Sequence, residues 1–207
     1  MSSVGKFITF EGGEGAGKST QVGLLATRLE AHGRRALKLR EPGGTALGEQ
    51  LRDLLKSRET LDLAVSTEAL LFAACRAQLV GEVIHPQLQQ GAFVLCDRFI
   101  DSTVAYQSGG RGLDRALIVA ANRLACGTVQ PDLTVLLDLD PSHGLGRASI
   151  RDHGKHDRFE ALGEDFHRKV RAVYHELAAA EPQRFLVLDA TRDSQTLSEE
   201  IWHEVSR

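Results

Sequence analysis

Gly12-Gly13-Glu14-Gly15-Ala16-Gly17-Lys18-Ser19 decides how the rest of this chain is read. It fits the pattern G-x-x-x-x-G-K-[ST] in full, with Thr20 directly after it. Glycines are needed there because a backbone that wraps an anion with inward-pointing N–H groups passes through conformations a Cβ would forbid. A helix opening near Gly17 adds the positive end of its dipole. Lys18 then supplies a cation for the terminal phosphates, and the Ser19 hydroxyl a ligand for Mg²⁺. The context agrees: Lys6-Phe7-Ile8-Thr9-Phe10 upstream reads as a buried strand, and Val22, Leu25, Ala26 and Leu29 downstream repeat at helical spacing.

Further along, four more apolar runs have strand character: Ala36–Arg40, Phe93–Cys96, Leu133–Leu137 and Phe185–Leu188. Helical patterns separate them, including a long one over 66–90 with a kink expected near Pro86, and others over 113–126, from Pro141, over 164–180 and over 194–205. Near-continuous apolar strands alternating with helices predict an α/β fold, a five-stranded parallel sheet covered by helices on both faces. With no repeat or linker, residues 1–207 are expected to form one domain.

Composition removes several classes of function. Lys and Arg number 25 against 28 Asp and Glu, a formal net charge of −3, so a nucleic-acid surface is not expected. No apolar run approaches the ~18 residues of a membrane span, and the start runs into a strand without a leader pattern. Cys75, Cys96 and Cys126 have no paired spacing, which suits a cytoplasmic protein. The close pair His153 and His156 lacks a third ligand nearby and is not expected to hold a metal. G-x-G-x-x-G is absent, which argues against a dinucleotide enzyme.

A phosphate-bound Mg²⁺ also wants a carboxylate at the end of a neighbouring strand. Asp97 and Asp138 both qualify, and Asp97 is favoured because Arg98 follows it. Glu14 is an anomaly. A carboxylate inside an anion cradle repels phosphate, so it needs a compensating donor, either an arginine or a ligand hydroxyl.

The set Gly12–Ser19, Arg40-Glu41-Pro42-Gly43-Gly44-Thr45, Asp97-Arg98, Ser102-Thr103, Tyr106-Gln107 and Gly109-Gly110-Arg111-Gly112 resembles the bacterial thymidylate kinase family over nearly the whole chain. The resemblance implies a P-loop kinase fold with a short lid. It also implies transfer of the γ-phosphoryl group of ATP to dTMP, with Mg²⁺, by a cytoplasmic homodimer that needs neither nucleic acid nor membrane. Lys18, Asp97 and Arg98 then belong to the catalytic set, with Ser19 and Asp97 at the metal. Gly12 to Thr20 hold ATP, and Arg192 lies where adenine packs. Arg40 and Arg98 match the arginines on the dTMP phosphate, and Glu14 the acid that accepts from the sugar 3′-hydroxyl. Phe72 matches the aromatic stacked on thymine and Arg76 the donor to its carbonyl. Tyr106 matches the residue that excludes a ribose 2′-hydroxyl, and Ser102, Thr103 and Gln107 line the pocket.

Residues alone leave Phe72, Arg76 and Tyr106 open as core or packing positions, although Phe72 and Arg76 do share a helix face. The charged stretch 147–158, with Arg147, Arg151, Lys155 and Arg158, is the natural lid. With no arginine inside the phosphate loop, the resemblance implies that the lid supplies the catalytic one, as in the bacterial class, Arg151 ahead of Arg147. Other P-loop nucleotide or nucleoside kinases are the alternative reading. A GTPase would need a guanine reader, for which only Gly154-Lys155-His156-Asp157 comes near.

Overall fold

The computed structural model describes residues 5–56, 62–151, 158–159 and 161–207, with 148–151 as backbone only. Five parallel strands make one sheet: β1 (Phe7–Glu11), β2 (Ala36–Arg40), β3 (Phe93–Asp97), β4 (Leu133–Asp138) and β5 (Phe185–Asp189), in the order β2-β3-β1-β4-β5. Four of them run one residue further than the apolar pattern, to end on Glu11, Asp97, Asp138 and Asp189. Pairing to a neighbour carries the ladder past the hydrophobic stretch, as in Phe10 opposite Asp97 and Asp138 opposite Asp189.

Alternate residues divide the core between the two faces. Ile8, Phe10, Leu95, Val135 and Leu137 pack with α1 (Lys18–Ala31) and α9 (Ser194–Val205). Phe7, Val94 and Cys96 point the other way, into a cluster with α3 (Val65–Leu79) and α6 (Arg115–Cys126). On that face Leu136 and Phe185 meet α8 (Glu164–Ala180). Where α9 crosses α1, the Trp202 ring has the Arg28 guanidinium 4.7 Å from its centroid and the His32 ring at 4.5 Å.

Two segments depart from the expected helices. The long one divides into α3, a widened π-helical stretch over Val80–Ile84 and α4 (His85–Gln89). The irregularity precedes Pro86 rather than following it. Proline has no N–H for the carbonyl one turn back, and His85 N–H reaches five residues to the Val80 carbonyl. The second is α5 (Ile100–Thr103), continued by a π-helical stretch over Val104–Gly110, which the β-branched and glycine-rich sequence did not signal. After it α6 starts two residues later than expected, capped by the Asp114 carboxylate on the Ala116 N–H.

Both α2 (Ala46–Lys56) and α7 (Pro141–Arg151) flank the C-terminal edge of the sheet, and α7 takes in residues 147–151 of the expected lid. Residues 152–157 lie outside the described residues. The helix α7 meets the loop after β1 backbone to backbone. A Cβ on Gly15 would fall 2.2 Å from the Gly144 carbonyl oxygen, and one on Gly144 2.3 Å from that of Glu14.

Two glycines of one helix should therefore respond oppositely to alanine. Gly144→Ala forces backbones apart and should cost about 1–3 kcal/mol. Gly146→Ala meets nothing within 4 Å and should gain about 1 kcal/mol of helix propensity. Thermal unfolding of the two variants should shift Tm down and up respectively, by roughly 2–4 °C per kcal/mol.

Candidate active site

From β1 the chain turns through Gly12 (φ 134°), Gly15 (φ 67°) and Gly17 (φ 92°) into α1. At Gly12 the left-handed turn runs so close to β4 that a Cβ would lie 2.3 Å from the Leu137 carbonyl oxygen. No side chain caps α1 and its first turn holds no acid, so its positive end faces the loop uncompensated. Lys18 Nζ donates to the carbonyls of Gly12 (3.1 Å) and Gly13 (2.6 Å). Burial, then the Arg98 charge, push its pKa down to about 8 against the pull of Glu14, Asp97 and Glu11. Ala16 turns into the core beneath. Ser19 Oγ donates to Asp97 Oδ2 at 2.5 Å. Asp138, the other candidate carboxylate, is taken by Arg171 (2.7 and 2.9 Å).

Next to Asp97 comes the sharpest turn of the site. Among the described residues Arg98 is the only non-glycine with positive φ, at 73°, a conformation costing about 1–2 kcal/mol. It persists because many partners fix it. The Arg98 N–H donates to the Phe10 carbonyl at 3.0 Å. Its guanidinium donates to Glu14 Oε1 at 2.6 Å, the Gly12 carbonyl at 3.1 Å and Ser102 Oγ at 3.3 Å, and lies 5.0 Å from the Tyr106 ring centroid. Tyr106 donates to Glu14 Oε1 at 3.1 Å. The compensation Glu14 needed is therefore Arg98 together with Tyr106. Burial resists ionising Glu14, but Arg98, Lys18, Lys56 and the Tyr106 hydroxyl outweigh it and hold the pKa at about 2.

Sequence reasoning missed Glu11 and Tyr174. The fully buried Glu11 carboxylate accepts from the Phe99 N–H (2.8 Å), the Ser102 N–H (3.3 Å), Ser102 Oγ (2.5 Å) and the Tyr174 hydroxyl (2.9 Å). Burial and then Asp101 raise its pKa to about 7, against Ser102, Arg98 and Tyr174. An acid ending an apolar strand just before the loop was the available signal for Glu11. Tyr174, on α8, gave none.

One cleft of about 680 Å³ is lined by Glu14, Gly15, Gly17, Lys18, Ser19 and Thr20 on one side. Arg40, Phe72, Arg76, Asp97, Arg98, Ser102, Thr103, Tyr106 and Gln107 line the remainder, joined by Arg147 of the expected lid and by the unforeseen Arg52, Lys56 and Phe159. Phe159 meets Phe72 edge to face, centroids 5.7 Å apart. Arg76 is fully buried, and its guanidinium donates to Glu41 Oε2 (2.9 and 2.6 Å), Asn122 Oδ1 (2.8 Å) and the Phe99 carbonyl (3.1 Å). Those bonds use four of its five N–H groups. Gln107 Nε2 donates to Glu68, and Arg40 pairs with Glu49 at the exposed rim. Arg147 donates to the Ala190 carbonyl at 3.2 Å.

Arg192 is not among the residues lining the cleft; it pairs with Glu200 on the surface. Arg151 ends α7, and its side chain lies outside the described residues, as do His153, His156 and the segment 154–157. Ser19 and Asp97 offer two hard oxygens beside the phosphate loop, the protein's usual share of a Mg²⁺ shell completed by substrate phosphates and water. No cluster of three or more His, Cys, Asp or Glu suited to a metal occurs among the described residues.

An anion loop with its lysine, at the end of the central strand of a 2-3-1-4-5 sheet, faces arginines and aromatics across the same cleft. That combination defines a P-loop kinase of the class that phosphorylates nucleoside monophosphates. The family model for thymidylate kinase matches residues 10–201. The thymidylate kinase of Deinococcus radiodurans is 51% identical over 208 residues, covering 99% of this chain and 98% of that one. That of Pelobacter propionicus is 48% identical over 206 residues, covering 98% and 94%. The crystal structure of thymidylate kinase from Ehrlichia chaffeensis matches with a TM-score of 0.77 at 35% identity, over 98% and 99% of the two chains. This chain belongs to the thymidylate kinase family.

The lowered pKa of Lys18 has a sign that can be checked. Its charge is lost as pH rises through about 8, so ATP binding takes up a proton above that pH. The ATP affinity of the free protein, followed by calorimetry, should weaken from pH 7 to 9. In Lys18→Arg that slope should be absent.

Proposed function

We propose that this chain transfers the γ-phosphoryl group of ATP to dTMP, giving dTDP for dTTP synthesis. The observation that carries the reading is a single cleft in which Lys18 and the glycine loop face the Arg98–Glu14–Tyr106 group. The loop N–H groups and Lys18 hold the donor's phosphates, and Thr20 lies beside Ser19 at the same end. Arg98 and Arg40 hold the acceptor phosphate in line, forked donors suiting a phosphate oxyanion better than an ammonium would. Glu14 is ionised at every physiological pH and accepts from a sugar hydroxyl. The Tyr106 side chain, fixed on Glu14, fills the space a 2′-hydroxyl would need. Phe72 supplies the face for a planar base, with Phe159 closing its edge. The remaining N–H of Arg76 and the side chains of Ser102, Thr103 and Gln107 complete that pocket.

The transition state spreads negative charge over the group in flight, so alignment and fixed cations do most of the work. Ser19 and Asp97 would hold a Mg²⁺ ion, which would supply charge neutralisation on the phosphates. An acceptor phosphate with a second pKa near 6 is already a dianion at pH 7, so no side chain need act as base. For the donor-side arginine, the position of Arg147 over the loop favours it over Arg151: it lines the cleft, and its Cβ lies 3.0 Å from the point a Gly15 Cβ would occupy. Large apolar side chains left exposed on α3 and α6, Leu70, Leu117 and Leu124, support a homodimer. Three free, buried thiols support a cytoplasmic setting.

A coupled ADP-release assay over a panel of monophosphates should show strong preference for dTMP, and Lys18→Ala should abolish ATP retention. Release of ADP without any acceptor would instead mark an ATPase. Arg147→Ala should lower kcat by about 10²-fold or more while KM for dTMP stays within about twofold. An intact kcat, with the loss appearing in Arg151→Ala, would return the role to Arg151.

A further inference from the structure

Arg98 is the strained centre of the acceptor side, and its guanidinium is aimed by two hydroxyls as well as by Glu14. Arg98 Nη1 lies 3.3 Å from Ser102 Oγ and 3.5 Å from the Tyr174 hydroxyl, and these two oxygens lie 2.8 Å apart. Both hydroxyls also contact one atom, Glu11 Oε2, at 2.5 and 2.9 Å. The other carboxylate oxygen accepts from the N–H groups of Phe99 and Ser102, the peptides that follow the Arg98 turn.

We propose that Glu11 is a positioning residue for phosphoryl transfer, acting through the hydroxyls of Ser102 and Tyr174 to hold Arg98 on the acceptor phosphate. When ionised, Glu11 has no proton to give, so the hydroxyl protons run toward it, directly or from one hydroxyl through the other. Their lone pairs are then left for the Arg98 N–H, and the guanidinium has one favourable orientation. An amide at position 11 would keep the shape and reverse that polarity. Its NH₂ donates to a hydroxyl, whose own proton then turns toward Arg98, donor against donor. Tyr174 brings α8 into the arrangement, so the residue that aims Arg98 also ties the helix following the lid segment to the C-terminal end of β1.

This inference rests on the assignment of Arg98 to the acceptor, and the test separates the two. Wild type, Glu11→Gln, Tyr174→Phe, Arg98→Met and the double variant Glu11→Gln/Arg98→Met are compared by steady-state kinetics. Binding of a non-hydrolysable ATP analogue is measured by calorimetry, and stability by thermal unfolding. Glu11→Gln should lower kcat/KM for dTMP by about 10- to 100-fold, with affinity for the ATP analogue within about twofold. Tyr174→Phe should show a smaller loss of the same kind. In the Arg98→Met background the Glu11 change should cost less than about twofold. Equal losses for donor and acceptor with a lowered Tm, or an undiminished cost in the Arg98→Met background, would make Glu11 mere scaffold and overturn the proposal. Wild-type kinetics in either variant would do the same. If Glu11→Gln does not fold, Tyr174→Phe decides. If the wild type prefers another monophosphate, the dTMP assignment fails, and the same series run on that acceptor still tests Glu11.

Discussion

An acid inside an anion cradle dictates much of this molecule. Glu14 stands among glycines whose purpose is to gather phosphate, and alone it would repel what the loop attracts. The 2.6 Å contact with Arg98 removes the conflict, and it exists only because β1 and β3 are neighbours in register, Phe10 opposite Asp97. Sheet order therefore has an electrostatic consequence. The strand that ends in Asp97-Arg98 must lie next to the strand that ends in the loop. With that met, one short turn delivers a carboxylate to Ser19 and a guanidinium to Glu14.

The surrounding charges are placed by the same logic. Buried ionised groups are tolerated when paired and hydrogen-bonded on every side. Glu41 is paired with Arg76, Glu68 with Arg111 and Arg158, and Asp101 with Arg184, although Glu41 Oε1 and Arg158 Nη1 are left without a hydrogen-bond partner. Each joins elements distant in sequence, and the first two stiffen the wall that carries Phe72 and Gln107. Rigidity suits a reaction governed by alignment, because a small displacement of a phosphate-gripping group costs more than the weakening of any single contact.

Strands and phosphate loop were legible because their signals are local: five short apolar runs, and a glycine pattern whose residues are adjacent in the chain. Asp97, Arg98 and Glu14 could be singled out since each stands at a strand end or in the loop. Tyr174 and Phe159 could not, and Glu11, although it ends a strand just before the loop, was passed over. Glu11 looks like the tail of a strand, Tyr174 like one more apolar position of an amphipathic helix, and Phe159 follows a charged segment. Their roles come from contacts spanning 72 to 163 residues, which no window along the sequence contains. The helix over 100–110 was hidden for another reason. Its β-branched and glycine residues argue against helix, and the site holds it in a widened coil through buried side chains. Arg192, placed at the adenine end by the resemblance, lies on the surface against Glu200, apart from the residues that line the cleft.

Trp202 is the sole tryptophan of the chain, and its place between Arg28 and His32 has an optical consequence. It sits on the last turns of α1, whose 14 residues put roughly 20 Å between that end and Lys18. Intrinsic emission therefore senses whether the two helices remain docked and is nearly blind to what occupies the cleft. A fluorescence melt of this protein reports on loss of the α1–α9 layer, and nucleotide titrations require an extrinsic dye or a labelled ligand.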